Sequence, residues 1–177
     1  MRNVRQQAVP QVQLVTFRLG GEEFGLDVFA VHEILRWQEV TPVPKAPEFV
    51  EGVIDVRGTL VPVVDLRKRF ELANAATDDD TRIVLVDFAG ERLGLVVDSV
   101  TEVLRVPETS VAPPPRYFKG LAAEFLRGIV RLEQRLVVLV DMERILSTQE
   151  RIALLEAYAG GAPADEGAAA PQPSSQV

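Results

Sequence analysis

LVTFRLGGEEFGLDVFAVHEILRW, residues 14–37, and IVLVDFAGERLGLVVDSVTEVLRV, residues 83–106, carry one pattern twice. Without a gap, Gly21 falls on Gly90, Glu22 on Glu91, and Gly25-Leu26 on Gly94-Leu95. Val31 falls on Val100, Glu33 on Glu102, and Leu35-Arg36 on Leu104-Arg105. A second block extends the match, with FVEGVIDVRGTLVPVVDL (49–66) over FLRGIVRLEQRLVVLVDM (125–142). Between the blocks the second copy carries extra residues that include PPPRYFKGL. Two copies are too few for a solenoid, so the repeat predicts two similar half-domains packed together.

Each copy reads as about five short strands. LVTFRL, EEFGLDV, EILRW, GVIDVR and TLVPVV are rich in Val, Ile, Leu and Phe and are bounded by Gly, Pro and charged residues. Gly20-Gly21 and Ala89-Gly90 read as hairpin turns, where glycine supplies positive φ. Short strands at this spacing predict small closed barrels, which leave no exposed edges. Pro62 interrupts a strand-like run, so an edge or bulge position is expected for it. Asp65, Asp98 and Asp141 each end an apolar run and are expected as caps that accept from free N–H groups. Ser147 and Glu150 form a capping box, which predicts a helix over 148–158. The folded domain is thus expected over 13–158, with halves at about 13–72 and 81–147. A loose polar lead-in, 1–12, and a disordered Ala/Pro/Gly/Ser tail, 159–177, flank it.

Composition removes most chemistry. The 177 residues carry net charge −7 and are 47% hydrophobic, with a pI near 4.8 and mean hydropathy of +0.10. That is enough apolar content for a real core, and the wrong charge for a nucleic-acid binder, which draws its affinity from phosphate neutralisation. Cysteine is absent, so disulfides and thiolate metal sites are excluded and a reducing compartment is expected. MRNVRQQAVPQVQ has no apolar core of a secretory signal, and no run is long enough to span a bilayer, so the protein is expected in the cytoplasm. The one histidine, His32, is matched by Thr101 in the second copy and is expected as a surface or half-buried residue. Asp78-Asp79-Asp80 lacks the glycine and terminal glutamate of a calcium loop and reads as a solvated linker. No P-loop, dinucleotide fingerprint or nucleophile–histidine pair is present. No enzyme activity and no cofactor are expected.

Binding surfaces remain. Val31 and Val100 are related by the repeat, as are Glu33 and Glu102, and would face one another across a groove if the halves pack two-fold. The alternative is that both valines are core. Tyr117-Phe118 follow three prolines and suit a partner anchor or a plug for the domain. Arg57, beside Gly58 at a hairpin crest, can make two directed bonds, either to the nearby Asp55 or to a partner.

FGLDVFAVHEIL, TPVPKAPEFVEGVIDVRGTLVPVVDLRKRF, RLGLVVDSVTEVLRV and FLRGIVRLEQRLVVLVDMERIL resemble the CheW family of bacterial chemotaxis over about residues 13–158. The resemblance implies a mainly β protein of two five-stranded SH3-like barrels with short helices. It implies a non-enzymatic adaptor that couples the cytoplasmic tips of methyl-accepting chemoreceptors to the regulatory domain of the histidine kinase CheA and helps build arrays. Its only link to the membrane would be through receptors. By position, Val31, Glu33, Val100 and Val103 match receptor contacts. Gly52, Arg57 and Gly58 match kinase coupling, and Tyr117 and Phe118 match the ring-forming loop. Where the family usually has N-L-R-G, this chain has Asp55-Val56-Arg57-Gly58. An adaptor of a type IV pilus or surface-sensing pathway is an alternative within the family. A small-barrel binder of a ligand or oligonucleotide is a remote one, because the chain lacks a basic face with stacking aromatics.

Overall fold

A computed structural model describes residues 8–73, 76–114 and 123–160. Tyr117, Phe118, the first seven residues of the lead-in and the tail from 161 lie outside the described residues. The protein is mainly β, built as two small SH3-like barrels. The strands are β1 (Gln11–Leu19), β2 (Glu22–Asp27), β3 (Val31–Arg36), β4 (Val50–Val56), β5 (Thr59–Asp65), β6 (Arg82–Phe88), β7 (Glu91–Val97), β8 (Ser99–Pro107), β9 (Val111–Ala112), β10 (Leu126–Arg131) and β11 (Leu136–Val140). Helix α1 (Leu66–Arg69) follows β5, and α2 (Thr148–Gly160) ends the described chain.

The strands form two sheets, in the orders β3-β6-β7-β5-β4 and β8-β1-β2-β11-β10-β9. These sheets do not coincide with the two sequence copies. One barrel, here called inner, uses the contiguous residues 31–97. The outer barrel joins β1 and β2 to β8–β11. The chain crosses between them twice, through a single 3-10 turn at Val28–Ala30 and again at Asp98. The crossings lie at opposite ends of β1, since Asp27 pairs with Leu14 and Ser99 with Arg18. Parallel ladders tie the copies together: Val63 to Asp65 of β5 run beside Gly94 to Val96 of β7, and Val137 to Leu139 of β11 beside Glu23 to Gly25 of β2.

The continuous apolar runs follow from three cores. Side chains alternate across a strand, and here both faces are buried. From β6, Ile83 and Leu85 enter the inner barrel, whereas Val84 and Val86 enter a large core shared by both barrels. The barrel interiors use repeat-equivalent residues. Ile54, Val61, Val63 and Ile83 fill the inner one, and Val130, Val137, Leu139 and Leu14 the outer one. Each fully buried Leu, Ile or Phe contributes roughly 1.5–3 kcal/mol. Trp37 packs half-buried against the inner core.

Several local expectations meet the structure. Asp65 and Asp141 accept from the N–H groups of Arg67 and Glu143 at 2.9 and 3.0 Å, as caps should. Asp98 does not cap a helix: it accepts from Gly20 N at 2.8 Å and from Arg67 Nη1 at 3.1 Å, bridging the barrels. Ser147 and Glu150 form the reciprocal capping box, at 2.7 and 3.1 Å, and α2 extends to Gly160. Asp78 folds its own linker, accepting from the N–H groups of Asp80 and Thr81 at 2.8 and 3.1 Å. Pro62 is not on an edge; β5 lies between β7 and β4. Its partner Val53 directs both its N–H and its C=O to Thr41 at 2.9 Å, so Pro62 faces β4 in a non-hydrogen-bonded pair. On the other side the parallel ladder begins only at Val63. The missing donor therefore costs no ladder bond.

Candidate functional site

The hairpin of β4 and β5 closes with Val56 opposite Thr59, leaving a two-residue turn. Arg57 and Gly58 hold φ of +51° and +83°, the type I′ geometry whose twist matches the strands. Asp55 Oδ1 accepts from Gly58 N at 2.7 Å and fixes the turn. The expected Asp55–Arg57 pair is therefore replaced: the carboxylate is used on the backbone, and the guanidinium reaches another strand. Arg57 Nη2 and Nη1 donate to Glu33 Oε2 and Oε1 at 2.6 and 3.2 Å, a two-pronged ion pair. The Arg57 side chain stays 66% exposed. The bond from Arg57 holds the Glu33 carboxyl below its ordinary value, and the same contact raises the guanidinium.

Glu33 sits just past a bulge in β3, where Val31 pairs with Val86 and Glu33 with Leu85. The extra residue is His32, which is exposed. Val31 and Val100 both rest half-buried against the shared core, one from β3 and one from β8. Val103 is 58% exposed. Of the four receptor-matched positions, Val103 is thus the freest and the two repeat-related valines are partly structural. Gly52 lies apart from the exposed tip, buried at the root of the hairpin with φ of +145°. A Cβ there would sit 2.0 Å from the Thr41 carbonyl oxygen, so only glycine lets that backbone cross.

Sequence reasoning missed three charged groups. The first is a pair similar to Glu33–Arg57: Glu102 on β8 accepts from Nη2 of Arg135, the residue before β11. Arg135 Nε also lies 3.6 Å from the buried Glu23. The repeat carried half of the signal, since Glu102 aligns with Glu33 but Arg135 aligns with Thr59. The second is Arg67, which is 3% exposed and held between Asp65 at 3.0 Å and Asp98 at 3.1 Å. The third is Arg69, stacked between Phe49 and Phe125 with centroid distances of 4.4 and 4.7 Å. Arg69 also bonds Ile145 O at 2.7 Å and Glu150 at 2.9 and 2.8 Å, which pins α2 to the body. Phe49 and Phe125 are repeat equivalents, so one arginine sits where the two copies meet.

Among the described residues no cluster of three or more His, Asp or Glu could hold a metal ion, and no helix is long and apolar enough to cross a membrane. What the residues provide is a pair of barrels joined by a shared core that displays charged brackets and apolar positions, the makings of an interaction module. The family model for the CheW-like domain matches residues 13–150. The chain is 36% identical over 138 residues to the chemotaxis protein CheW of Klebsiella aerogenes, covering 78% of this chain and 83% of that one. It is 31% identical over 155 residues to protein FrzA of Myxococcus xanthus, covering 86% and 96%. The crystal structure of the scaffolding protein TtCheW from Thermoanaerobacter tengcongensis superposes with a TM-score of 0.75 at 34% identity, covering 80% of this chain and 96% of that one. The chain belongs to the CheW family of chemotaxis scaffold proteins.

Proposed function

We propose that this protein couples the cytoplasmic tips of chemoreceptors to the regulatory domain of the histidine kinase CheA, acting by geometry and without chemistry of its own. The Glu33–Arg57 pair is the observation that carries this reading. It joins a receptor-matched position to a kinase-matched position in one exposed contact, 2.6 Å long. A bond at the surface contributes little to folding, which leaves both groups free to re-pair with a partner. Val103 adds an exposed apolar position to the receptor set, and Val31 and Val100 add half-buried ones. Gly52 and Gly58 keep the hairpin in the shape that presents Arg57. Tyr117 and Phe118 are assigned to contacts between neighbours in a ring. The protein then works at membrane-attached arrays, where individually weak contacts of about micromolar affinity, roughly −8 kcal/mol, gain avidity from repetition.

Sedimentation of the full chain with a kinase regulatory domain, and separately with a receptor-tip fragment, tests this. Arg57→Ala is expected to weaken the kinase complex at least tenfold, and Val103→Asp the receptor complex, with circular dichroism unchanged in both. Unaltered affinities in the two variants would remove these residues from the interfaces. Absence of any complex at tens of micromolar, across the kinases and receptors of the same cell, would remove the coupling role.

A further inference from the structure

Both barrels open a cleft between the starts of their parallel strands, built from repeat-equivalent residues but with different chemistry. In the outer barrel the cleft is lined by Gly21, Glu22, Glu23, Arg135 and Leu136 and has a volume of about 310 Å³. Charge occupies it: Glu23 is 8% exposed and faces Arg135, which also binds Glu102. In the inner barrel the matching residues are Gly90, Glu91, Arg92, Thr59 and Leu60, and the volume is about 490 Å³. Arg92 stands where the outer barrel has Glu23, and Thr59 where it has Arg135, so the inner cleft exchanges the internal carboxylate for a cation and loses the arginine that neutralised it. Pro62, Phe88 and Leu93 make the floor apolar, and Leu146 with Arg151 and Leu154 of α2 forms a side wall.

Two guanidiniums therefore border an apolar cavity. Among the described residues neither Arg92 nor Arg151 forms an ion pair. Arg151 lies over the Phe88 ring at 5.1 Å, and both side chains are half-buried. Glu91, the carboxylate at the mouth, is exposed. Sites for small ligands have volumes of about 300–1,000 Å³, mostly apolar walls and a few placed polar groups. Arginine in a partly desolvated site favours a carboxylate, which it can grip at two oxygens.

We propose that the inner-barrel cleft binds a small amphipathic carboxylate, with its apolar body against Leu60, Phe88 and Leu93 and its anionic head between Arg92 and Arg151. Because α2 forms one wall, occupancy also tightens that helix onto the barrel. The probes are decanoate and the fluorescent anion anilinonaphthalene sulfonate, added to the full chain. One saturable site is expected, with decanoate displacing the fluorophore. Arg92→Gln and Arg151→Gln should each weaken decanoate about tenfold, the effect of one lost charged contact. Leu60→Trp should fill the cavity and abolish binding, and Glu23→Gln, in the outer cleft, should leave it unchanged. If Leu60→Trp fails to fold, the two arginine variants, altered at half-exposed positions, decide the matter alone. No saturable binding at millimolar decanoate, or equal affinity in the Arg92→Gln/Arg151→Gln double variant, overturns the assignment. A dimer in sedimentation that leaves the fluorophore unbound gives the cleft to a second copy and overturns it equally.

Discussion

The hairpin of β4 and β5 and the hairpin of β10 and β11 are the same element used for two purposes. Each carries an arginine that reaches a glutamate on a strand outside the hairpin and not paired with it, Arg57 to Glu33 and Arg135 to Glu102. Behind Arg135 stands Glu23, buried, with Oε1 lacking a hydrogen-bond partner among the described residues. Glu33 is the only acidic group paired with Arg57 in the described structure. The outer bracket is thus attached to the interior, and the inner bracket is attached only to the surface. The glutamates are repeat equivalents but the arginines are not, since Glu133 holds the Arg57 position, so each copy supplies its bracket from a different hairpin residue, one tied to the interior and one left available to a partner.

The roots of the hairpins give the largest test. Gly52→Ala forces a Cβ to 2.0 Å from Thr41 O, and Gly128→Ala to 2.7 Å from Ala112 O. Urea unfolding is expected to show a loss of about 4 kcal/mol or more for Gly52→Ala, and less for Gly128→Ala. Gly58→Ala, in open space at φ of +83°, should lose only about 1–2 kcal/mol. Equal losses at 52 and 58 would break the distinction between root and tip.

Arg67 and its repeat equivalent Glu143 come next. Arg67 is buried between two carboxylates, and Glu143 is exposed. Arg67→Ala should cost about 3–5 kcal/mol by stranding those charges, and Glu143→Ala less than about 0.5 kcal/mol. At the brackets themselves, Arg135→Ala leaves the Glu23 carboxylate desolvated and is expected to destabilise by about 1–3 kcal/mol. Arg57→Ala should leave the unfolding midpoint where it is. A matching loss in both variants would show the inner bracket to be structural as well.

The smallest effect is a titration. Arg57 lowers the Glu33 pKa, so the pair is intact above the ordinary carboxylate range and opens as pH falls through the lowered Glu33 value. Carboxyl NMR should find Glu33 titrating below its ordinary value in the parent and returning to it in Arg57→Ala. Glu150 differs in its causes. Partial burial pushes its carboxyl up, but bonds from Ser147 and Arg69 outweigh this and lower it overall. Its hold on α2 is therefore present above the ordinary range and lost as pH falls through the lowered value.

The strands and turns were legible because strands such as β6, β7 and β11 divide their side chains between two cores, which writes uninterrupted apolar runs into the sequence. The allocation of strands to sheets was not. β5 and β11 are repeat equivalents, so the apolar pattern of β2 suits either as a parallel neighbour, and only the packed structure selects β11. At the site, Arg57 and the two glycines stood out by type. Its partner did not, because Asp55 is two residues away and Glu33 is twenty-four. Pro62 misled because its strand looked continuous, whereas the ladder on one side begins a residue later.

The nesting of one barrel inside the other also orders events during synthesis. All five strands of the inner barrel have been made once Val97 leaves the ribosome, whereas β1 must wait for β8, which ends at Pro107, and β2 for β11, which ends at Val140. At about 5–20 residues per second the second wait is roughly 2–9 s. Phe17, Leu19, Phe24 and Leu26 face the finished inner barrel meanwhile, but Leu14 stays without Val137 and Leu139, its neighbours in the outer core. Slower translation between residues 97 and 140 lengthens in proportion the time for which the β2 edge lacks its parallel partner.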